Sequence, residues 1–149
     1  MKELPRILLV EDNRDDVELT LTALAESNLA NAVDVVRDGV EALDYLLCRN
    51  EYTARKGKHP AVVLLDIKMP RMDGIEVLRY IRQSSCLETI PVVMLTSSDM
   101  ETDIIRSYGL GANAYVVKPV EFSEFVSAVR HLGVFWALLN RTVGPESCR

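Results

Sequence analysis

The sequence predicts an α/β protein with a doubly wound, five-stranded parallel sheet. Five short apolar runs alternate with segments whose apolar residues recur at helical spacing. The run 61–65 is apolar throughout, which is typical of a strand buried on both faces in the middle of a parallel sheet. Short connections between the alternating elements favour helices on both faces of that sheet. Right-handed crossovers permit few strand orders, and we expect the order 2-1-3-4-5.

The predicted strands differ in how apolar they are, and this difference places them in the sheet. The run 61–65 leads directly into Asp66, so it is expected at the centre with Asp66 at its end. The run 33–36 contains Asp34 and is expected at an edge. The five predicted strands are residues 6–10, 33–36, 61–66, 90–95 and 114–117.

The predicted helices begin at polar residues that suit helix N-termini. Asp12 or Asn13 is a suitable N-cap for the first helix, and Asp15 and Asp16 favour its first turn through the helix dipole. The predicted helices are residues 14–25, 40–47, a third from about 74 with apolar residues to 81, 100–108 and 121–139. Residues 51–60 are expected to be a polar loop that is long for a helix-to-strand connection.

Composition narrows the class of protein. The chain has 149 residues, of which 48% are apolar and 26% charged, which suits one globular domain. A net charge of −5 disfavours binding to nucleic acid, and the chain shows neither a membrane-length apolar run nor a signal peptide. The odd cysteine count (Cys48, Cys86 and Cys148) indicates free thiols in a reducing cytoplasm. His59 and His131 lie too far apart to indicate a zinc site.

Polar side chains follow four of the five predicted strands. Glu11 and Asp12 end the first, Asp66 the third, Thr96 the fourth and Lys118 the fifth. Because the carboxyl ends of parallel strands share one edge of the sheet, we expect these side chains to lie close together. Three neighbouring carboxylates repel each other unless a cation offsets their charge, and Mg²⁺ prefers oxygen ligands. A lysine and a hydroxyl beside them suit an anionic ligand, most simply a phosphoryl group.

Each of these residues also has a simpler interpretation. Asp12 and Asn13 could only cap the first helix, and Thr96 could only cap the fourth. Lys118 could be a surface charge, and Asp66 could be a turn residue. The functional interpretation depends on their occurrence together at one edge of the sheet.

With these motifs, the chain resembles the receiver domain of bacterial two-component response regulators over residues 5–139. The matching motifs are LVEDN, LLDIKMPRMDG, VMLTS and YVVKP. The resemblance implies the flavodoxin-like receiver fold, and the chemotaxis member of that family has the order 2-1-3-4-5, so the order is not an independent prediction. We expect a receiver domain over residues 5–140, a tail over 141–149 and no output domain.

The resemblance also implies roles for the residues at the strand ends. Asp66 is implied as the phosphoacceptor. Glu11 and Asp12 are implied as Mg²⁺ ligands, together with Asp66 and the main-chain carbonyl of Lys68. The chain is then not a conventional enzyme, although it catalyses its own phosphorylation and dephosphorylation.

Three further positions match the family's switching residues. Thr96 is implied as the switch hydroxyl, Lys118 as the cation that pairs with the phosphoryl group, and Tyr115 as the switch aromatic. The simpler interpretation of Tyr115 is a half-buried strand residue. A cis peptide bond is expected between Lys118 and Pro119.

The resemblance implies a cytoplasmic single-domain response regulator whose partner is a sensor histidine kinase, with a phytochrome-type kinase as the finer prediction. The apolar run 134–139 suggests a homodimer through the fourth helix, the fifth strand and the last helix, including Trp136; the run could instead complete the protein's own core.

Three other classes come into consideration. A receiver-like module could bind partners without ever carrying phosphate. A nucleotide- or flavin-binding enzyme on a flavodoxin-like fold is disfavoured because no phosphate-binding glycine motif is present. Phosphatases similar to haloacid dehalogenases need a second catalytic aspartate two residues after the first. This chain has Lys68 at that position, which disfavours this class of enzyme.

Overall fold

The computed structural model describes residues 6–26, 32–55, 59–97, 106 and 108–132. Strands and helices alternate along the chain, as the hydrophobic pattern predicts. The strands are β1 (Ile7–Val10), β2 (Val33–Val36), β3 (Val62–Asp66), β4 (Val92–Thr96) and β5 (Ala114–Val117). The helices are α1 (Arg14–Ala25), α2 (Gly39–Leu46), α3 (Gly74–Gln83) and α4 (Phe122–Leu132), with a 3₁₀ helix at Asn50–Arg55.

The five strands form one parallel sheet in the order β2-β1-β3-β4-β5, which confirms the expected topology. Every residue of β3 is buried, so the central position predicted for this strand is correct. Asp66 at the end of β3 lies opposite Leu95 of β4. Thr96 of β4 lies opposite Val117 of β5, which places Lys118 immediately beyond that pair.

The sheet separates two hydrophobic cores, and β3 contributes alternate residues to each. Val63 and Leu65 belong to the core formed with α2 and α3, whereas Val62 and Leu64 belong to the core formed with α1 and α4. This alternation follows from the two-residue period of a strand. Both faces of the sheet are therefore covered, and the strand ends are left to form a crevice. No helix in the described ranges is long and apolar enough to span a membrane.

Besides one-residue shifts at the ends of β1, β3, α2 and α4, two local predictions differ from the structure. Residues 51–55 belong to the 3₁₀ helix rather than to an irregular loop. The guanidinium of Arg55 donates to the main-chain carbonyl of Tyr45 and lies 3.8 Å from the centroid of its ring, so a tertiary contact orders this segment. β4 begins at Val92 rather than at residue 90. The N–H of Val92, its first residue, donates to the side chain of Asn113.

The expectation of free thiols is wrong for one cysteine. Cys86 is disulfide-bonded, whereas Cys48 forms no disulfide. Pairing depends on which cysteines approach each other in space, and an odd cysteine count does not determine this. Cys148 lies outside the described residues.

Two other predictions also fall partly outside the described residues. Of the helix predicted over residues 100–108, only residues 106 and 108 are described, and both are helical, as is residue 109. The apolar run 134–139, with Trp136, lies outside the described ranges.

Candidate functional site

The strand order brings three carboxylates together at one edge of the sheet. Glu11 and Asp12 follow β1, and Asp66 ends the neighbouring strand β3. A carboxylate oxygen from each of the three lies within 4.8 Å of the others. Glu11 and Asp66 are buried, with 0% and 4% of their surface exposed, and Asp12 is exposed. Glu11 and Asp66 thus form the buried side of this cluster, and Asp12 forms the side that faces solvent.

Hydrogen bonds from the backbone fix the β1 side of the cluster. The N–H of Glu11 donates to the carbonyl of Val36 at 3.0 Å, and its carboxylate accepts from the N–H of Asn13 at 3.2 Å. The side chain of Asn13 caps α1 by accepting from the N–H of Asp16. Asn13, rather than Asp12, is therefore the cap, and the carboxylate of Asp12 belongs to the acidic cluster.

The β3 side depends on a close approach of α3 to the strand end. The N–H of Gly74 donates to the carbonyl of Ile67 at 2.7 Å, and a Cβ at residue 74 would lie 2.1 Å from the carbonyl oxygen of Asp66. Asp73 caps α3 in a capping box with Glu76. The turn between Asp66 and α3 therefore folds back tightly.

Lys118 extends its ammonium group into the acidic cluster from β5. Its Nζ lies 2.8 Å from Asp16, 2.9 Å from Glu11 and 3.1 Å from Asp66. The side chain is only 7% exposed, so Lys118 is not a surface charge. The peptide bond between Lys118 and Pro119 is cis, as expected.

The electrostatics of the cluster raise two pKa values, that of the Asp66 carboxyl and that of the Lys118 ammonium. Burial raises the pKa of Asp66 above its usual range, the negative charge of Glu11 adds to this, and Lys118 opposes it. Burial alone would lower the pKa of Lys118, but hydrogen bonds to Asp16 and Glu11 outweigh it and raise that pKa. The lysine is therefore charged, and an additional cation would favour the ionised form of Asp66.

Thr96 and Tyr115 lie on the two strands next to the cluster. Thr96 is buried at the end of β4, and its carbonyl accepts from the N–H of Lys118 at 2.7 Å. The ring of Tyr115 is partly buried and packs edge-to-face on Tyr108, with centroids 4.2 Å apart. Lys68 lies two residues beyond Asp66 and its side chain is exposed.

The donor set fits a hard divalent cation. Three carboxylates supply only oxygen ligands, which Mg²⁺ and similar ions prefer, and their mutual repulsion favours binding of positive charge. The buried ammonium of Lys118 offsets only part of this negative charge. The arrangement combines a buried carboxylate, a cation site and a fixed ammonium, which together can accept and stabilise an anionic group.

Sequence reasoning missed one residue of this site. Asp16 was expected only to favour the first turn of α1, yet its carboxylate makes the shortest of the three ion pairs with Lys118. The available signal was its position in the first turn of a helix that starts beside the strand ends. This position alone did not specify contact with a residue 102 positions away.

The model of the response regulator receiver domain family matches residues 7–130 of the chain. The chain belongs to this family. The receiver is also 38% identical over 130 residues to the response regulator Rcp1 of Synechocystis sp. (strain ATCC 27184 / PCC 6803 / Kazusa), and the match covers 87% of each protein.

Solved structures of similar proteins have the same fold as the receiver. The bacteriophytochrome response regulator AtBRR is 62% identical, with a TM-score of 0.84 over 93% of this chain and 99% of that one. The phosphorylated cyanobacterial phytochrome response regulator RcpA is 38% identical, with a TM-score of 0.74 over 97% and 100%. The Mn²⁺-bound form of Rcp1 is 33% identical, with a TM-score of 0.70 over 96% and 100%.

Proposed function

We propose that the receiver accepts a phosphoryl group on Asp66 from a sensor histidine kinase. The observation that carries this proposal is the pairing of the buried Asp66 carboxylate with the ammonium of Lys118 at 3.1 Å, inside a cluster of acidic oxygen ligands. A carboxylate placed beside fixed positive charge is suited to act as a nucleophile towards phosphorus.

In the proposed reaction a carboxylate oxygen of Asp66 attacks the phosphorus of a phosphohistidine. A P–O bond forms as the P–N bond breaks, and the departing histidine nitrogen takes up a proton. Lys118 stabilises negative charge on the phosphoryl oxygens, because its Nζ is already beside Asp66. In the separate dephosphorylation step, water attacks the phosphorus, the bond between phosphorus and the Asp66 oxygen breaks, and inorganic phosphate leaves as the carboxylate is regenerated.

Glu11, Asp12 and Asp66 would hold Mg²⁺, with the main-chain carbonyl of Lys68 as a further ligand. When bound, Mg²⁺ supplies positive charge that offsets the carboxylates and the incoming phosphoryl group. The acidic cluster and the Mn²⁺-bound form of the similar protein Rcp1 support this assignment.

Phosphorylation is proposed to switch a protein-binding surface through Thr96 and Tyr115. A phosphoryl oxygen on Asp66 would accept a hydrogen bond from Thr96, whose strand neighbours both β3 and β5. The Tyr115 ring lines a groove of about 520 Å³ between β5 and α4, with Tyr108 and Glu124. A change in the rotamer of Tyr115 would therefore alter the shape of this surface.

The partners are proposed from the similarity to phytochrome response regulators. The identity of 62% to the bacteriophytochrome response regulator AtBRR supports a phytochrome-type histidine kinase as the phosphodonor. A cytoplasmic location is proposed from membership of the receiver family. We propose a homodimer contact through the helix predicted over residues 100–108, β5 and the last helix. Trp136, which the sequence adds to this contact, lies outside the described residues. Tyr108 is 62% exposed and lines the groove between β5 and α4, and this exposed aromatic residue supports the proposed dimer contact.

The test is phosphorylation by a small acyl phosphate. The receiver is incubated with Mg²⁺ and acetyl phosphate, and its intact mass is measured over time. We expect one phosphoryl adduct in the wild type and none in Asp66→Asn. An absence of adduct in the wild type would favour a receiver-like module that never carries phosphate. An adduct that persists in Asp66→Asn would place the phosphoacceptor elsewhere.

A further inference from the structure

Asp16 shares the ammonium of Lys118 with two carboxylates of the acidic cluster. The Nζ of Lys118 has three N–H donors, and it lies within 3.1 Å of three carboxylates, from Glu11, Asp16 and Asp66. The number of donors therefore equals the number of acceptors in this state. A phosphodonor that brings a phosphoryl oxygen to Lys118 while Asp66 is still a free carboxylate must take over an N–H that one of these carboxylates now accepts.

The burial of the three carboxylates indicates which of them gives up its hydrogen bond. The side chains of Glu11 and Asp66 are 0% and 6% exposed, so little water can replace a lost bond there. The side chain of Asp16 is 28% exposed, and water can take the place of the ammonium. Since an unsatisfied buried charge is costly, Asp16 is the partner that Lys118 leaves most readily.

We propose that Asp16 is a positioning residue that holds Lys118 in the unphosphorylated receiver and competes with the phosphoryl group for its ammonium. The proposal rests on the proposed phosphorylation of Asp66. Asp16 acts through Lys118 and does not itself touch the reacting atoms. Its carboxylate also adds a fourth negative charge next to the site that an anionic phosphodonor must approach.

Asp15 provides a matched control for this role. It lies one residue earlier in the same first turn of α1, it is exposed, and its replacement by asparagine removes the same formal charge. Any effect of helix dipole or net charge should be similar for the two residues. Only the loss of Asp16 should alter the hydrogen bonds of Lys118.

The experiment compares phosphorylation rates at saturating Mg²⁺ with acetyl phosphate as donor, followed by intact mass. We expect Asp16→Asn to be phosphorylated roughly fivefold faster than the wild type, since one charge-assisted hydrogen bond no longer competes. Asp15→Asn should stay within about twofold of the wild type. Asp16→Glu keeps the charge and should restore a rate near that of the wild type.

A second readout does not depend on phosphorylation. In ¹⁵N NMR of lysine ammonium groups, the signal of Lys118 should shift in Asp16→Asn and stay unchanged in Asp15→Asn. Equal rates for Asp16→Asn and Asp15→Asn, or a slower Asp16→Asn, would overturn the proposal. If the wild type and every variant form no adduct while the NMR shift is present, the proposed phosphorylation fails but the contact between Asp16 and Lys118 stands.

Discussion

Asp34 lies on the edge strand β2, where Arg6 and Tyr45 both donate hydrogen bonds to its carboxylate. Burial alone would raise the pKa of Asp34, but these hydrogen bonds outweigh it and lower the pKa below its usual value of 3.8. The unfolded chain therefore binds this proton at a higher pH than the folded one. The stabilisation from the Asp34 carboxylate is complete above pH 3.8 and is lost as the pH falls through the lowered pKa.

We expect Asp34→Asn to lower the free energy of unfolding at pH 7 by about 1–2 kcal/mol, because hydrogen bonds to a charged acceptor are lost. The difference from the wild type should shrink as the pH falls below about 3.8. Urea denaturation between pH 7 and pH 3 measures it. The exposed Glu18→Gln serves as the control and should change stability by less than about 0.5 kcal/mol. A difference that stays constant down to pH 3 would contradict this account.

At the scale of residues, the sequence predicts which side chains meet at the strand ends. Asp66 and Lys118 each follow an apolar run directly, so the period of the strands decides their position. Asp16 and Arg55 were not predictable in the same way. Their contacts with Lys118 and Tyr45 depend on where a helix or a 3₁₀ segment lies relative to the sheet. Propensity and spacing do not determine that placement.

The approach of α3 to the end of β3 requires a residue without a side chain. A Cβ at residue 74 would lie 2.1 Å from the carbonyl oxygen of Asp66 and 3.0 Å from the Cα of Ile67. These are backbone atoms, so neither can move aside without displacing the strand end. Gly74 thus lets α3 pack close to the end of β3, where Asp66, the proposed phosphoacceptor, lies.

We expect Gly74→Ala to destabilise the receiver by about 1–3 kcal/mol, the range found for overpacked interiors. Its phosphorylation by acetyl phosphate should also slow, because the backbone of Asp66 must shift. Thermal unfolding and intact mass measure the two effects. In Gly109→Ala the new Cβ meets nothing within 4 Å, and the stability should be unchanged or slightly higher. Equal stability of Gly74→Ala and Gly109→Ala would contradict this account, because it would show that α3 can move away from β3 without a loss of stability.

At the scale of elements, the sequence predicts strands more accurately than the connections between them. The bounds of β2 and β5 match the prediction because turn residues flank a short apolar run. The 3₁₀ helix at Asn50–Arg55 was missed because it depends on tertiary contacts of Arg55 with Tyr45. β4 starts later than predicted because Pro91, which lacks an N–H, precedes its first residue, Val92.

The parallel sheet joins residues that are distant along the chain into one charged site. Lys118 contacts Glu11 across 107 residues, and the acidic cluster links the ends of β1 and β3. The ammonium of Lys118 offsets only part of the repulsion among these carboxylates. A cation bound between β1 and β3 would therefore stabilise the fold as a whole and not only the site.

We expect Mg²⁺ to raise the melting temperature of the receiver. A ligand at 100 times its Kd that binds only the folded state stabilises it by about 2.7 kcal/mol, which corresponds to roughly 5–10 °C for a domain of this size. A chelator should reverse the shift, and Asp12→Asn should lose most of it because one of the three carboxylates is gone. Asp15→Asn, which removes an equal charge outside the cluster, should retain it. If NaCl at matched ionic strength raised the melting temperature equally, or if Asp12→Asn kept the full shift, the stabilisation would come from screening of net charge and not from a site at Glu11, Asp12 and Asp66.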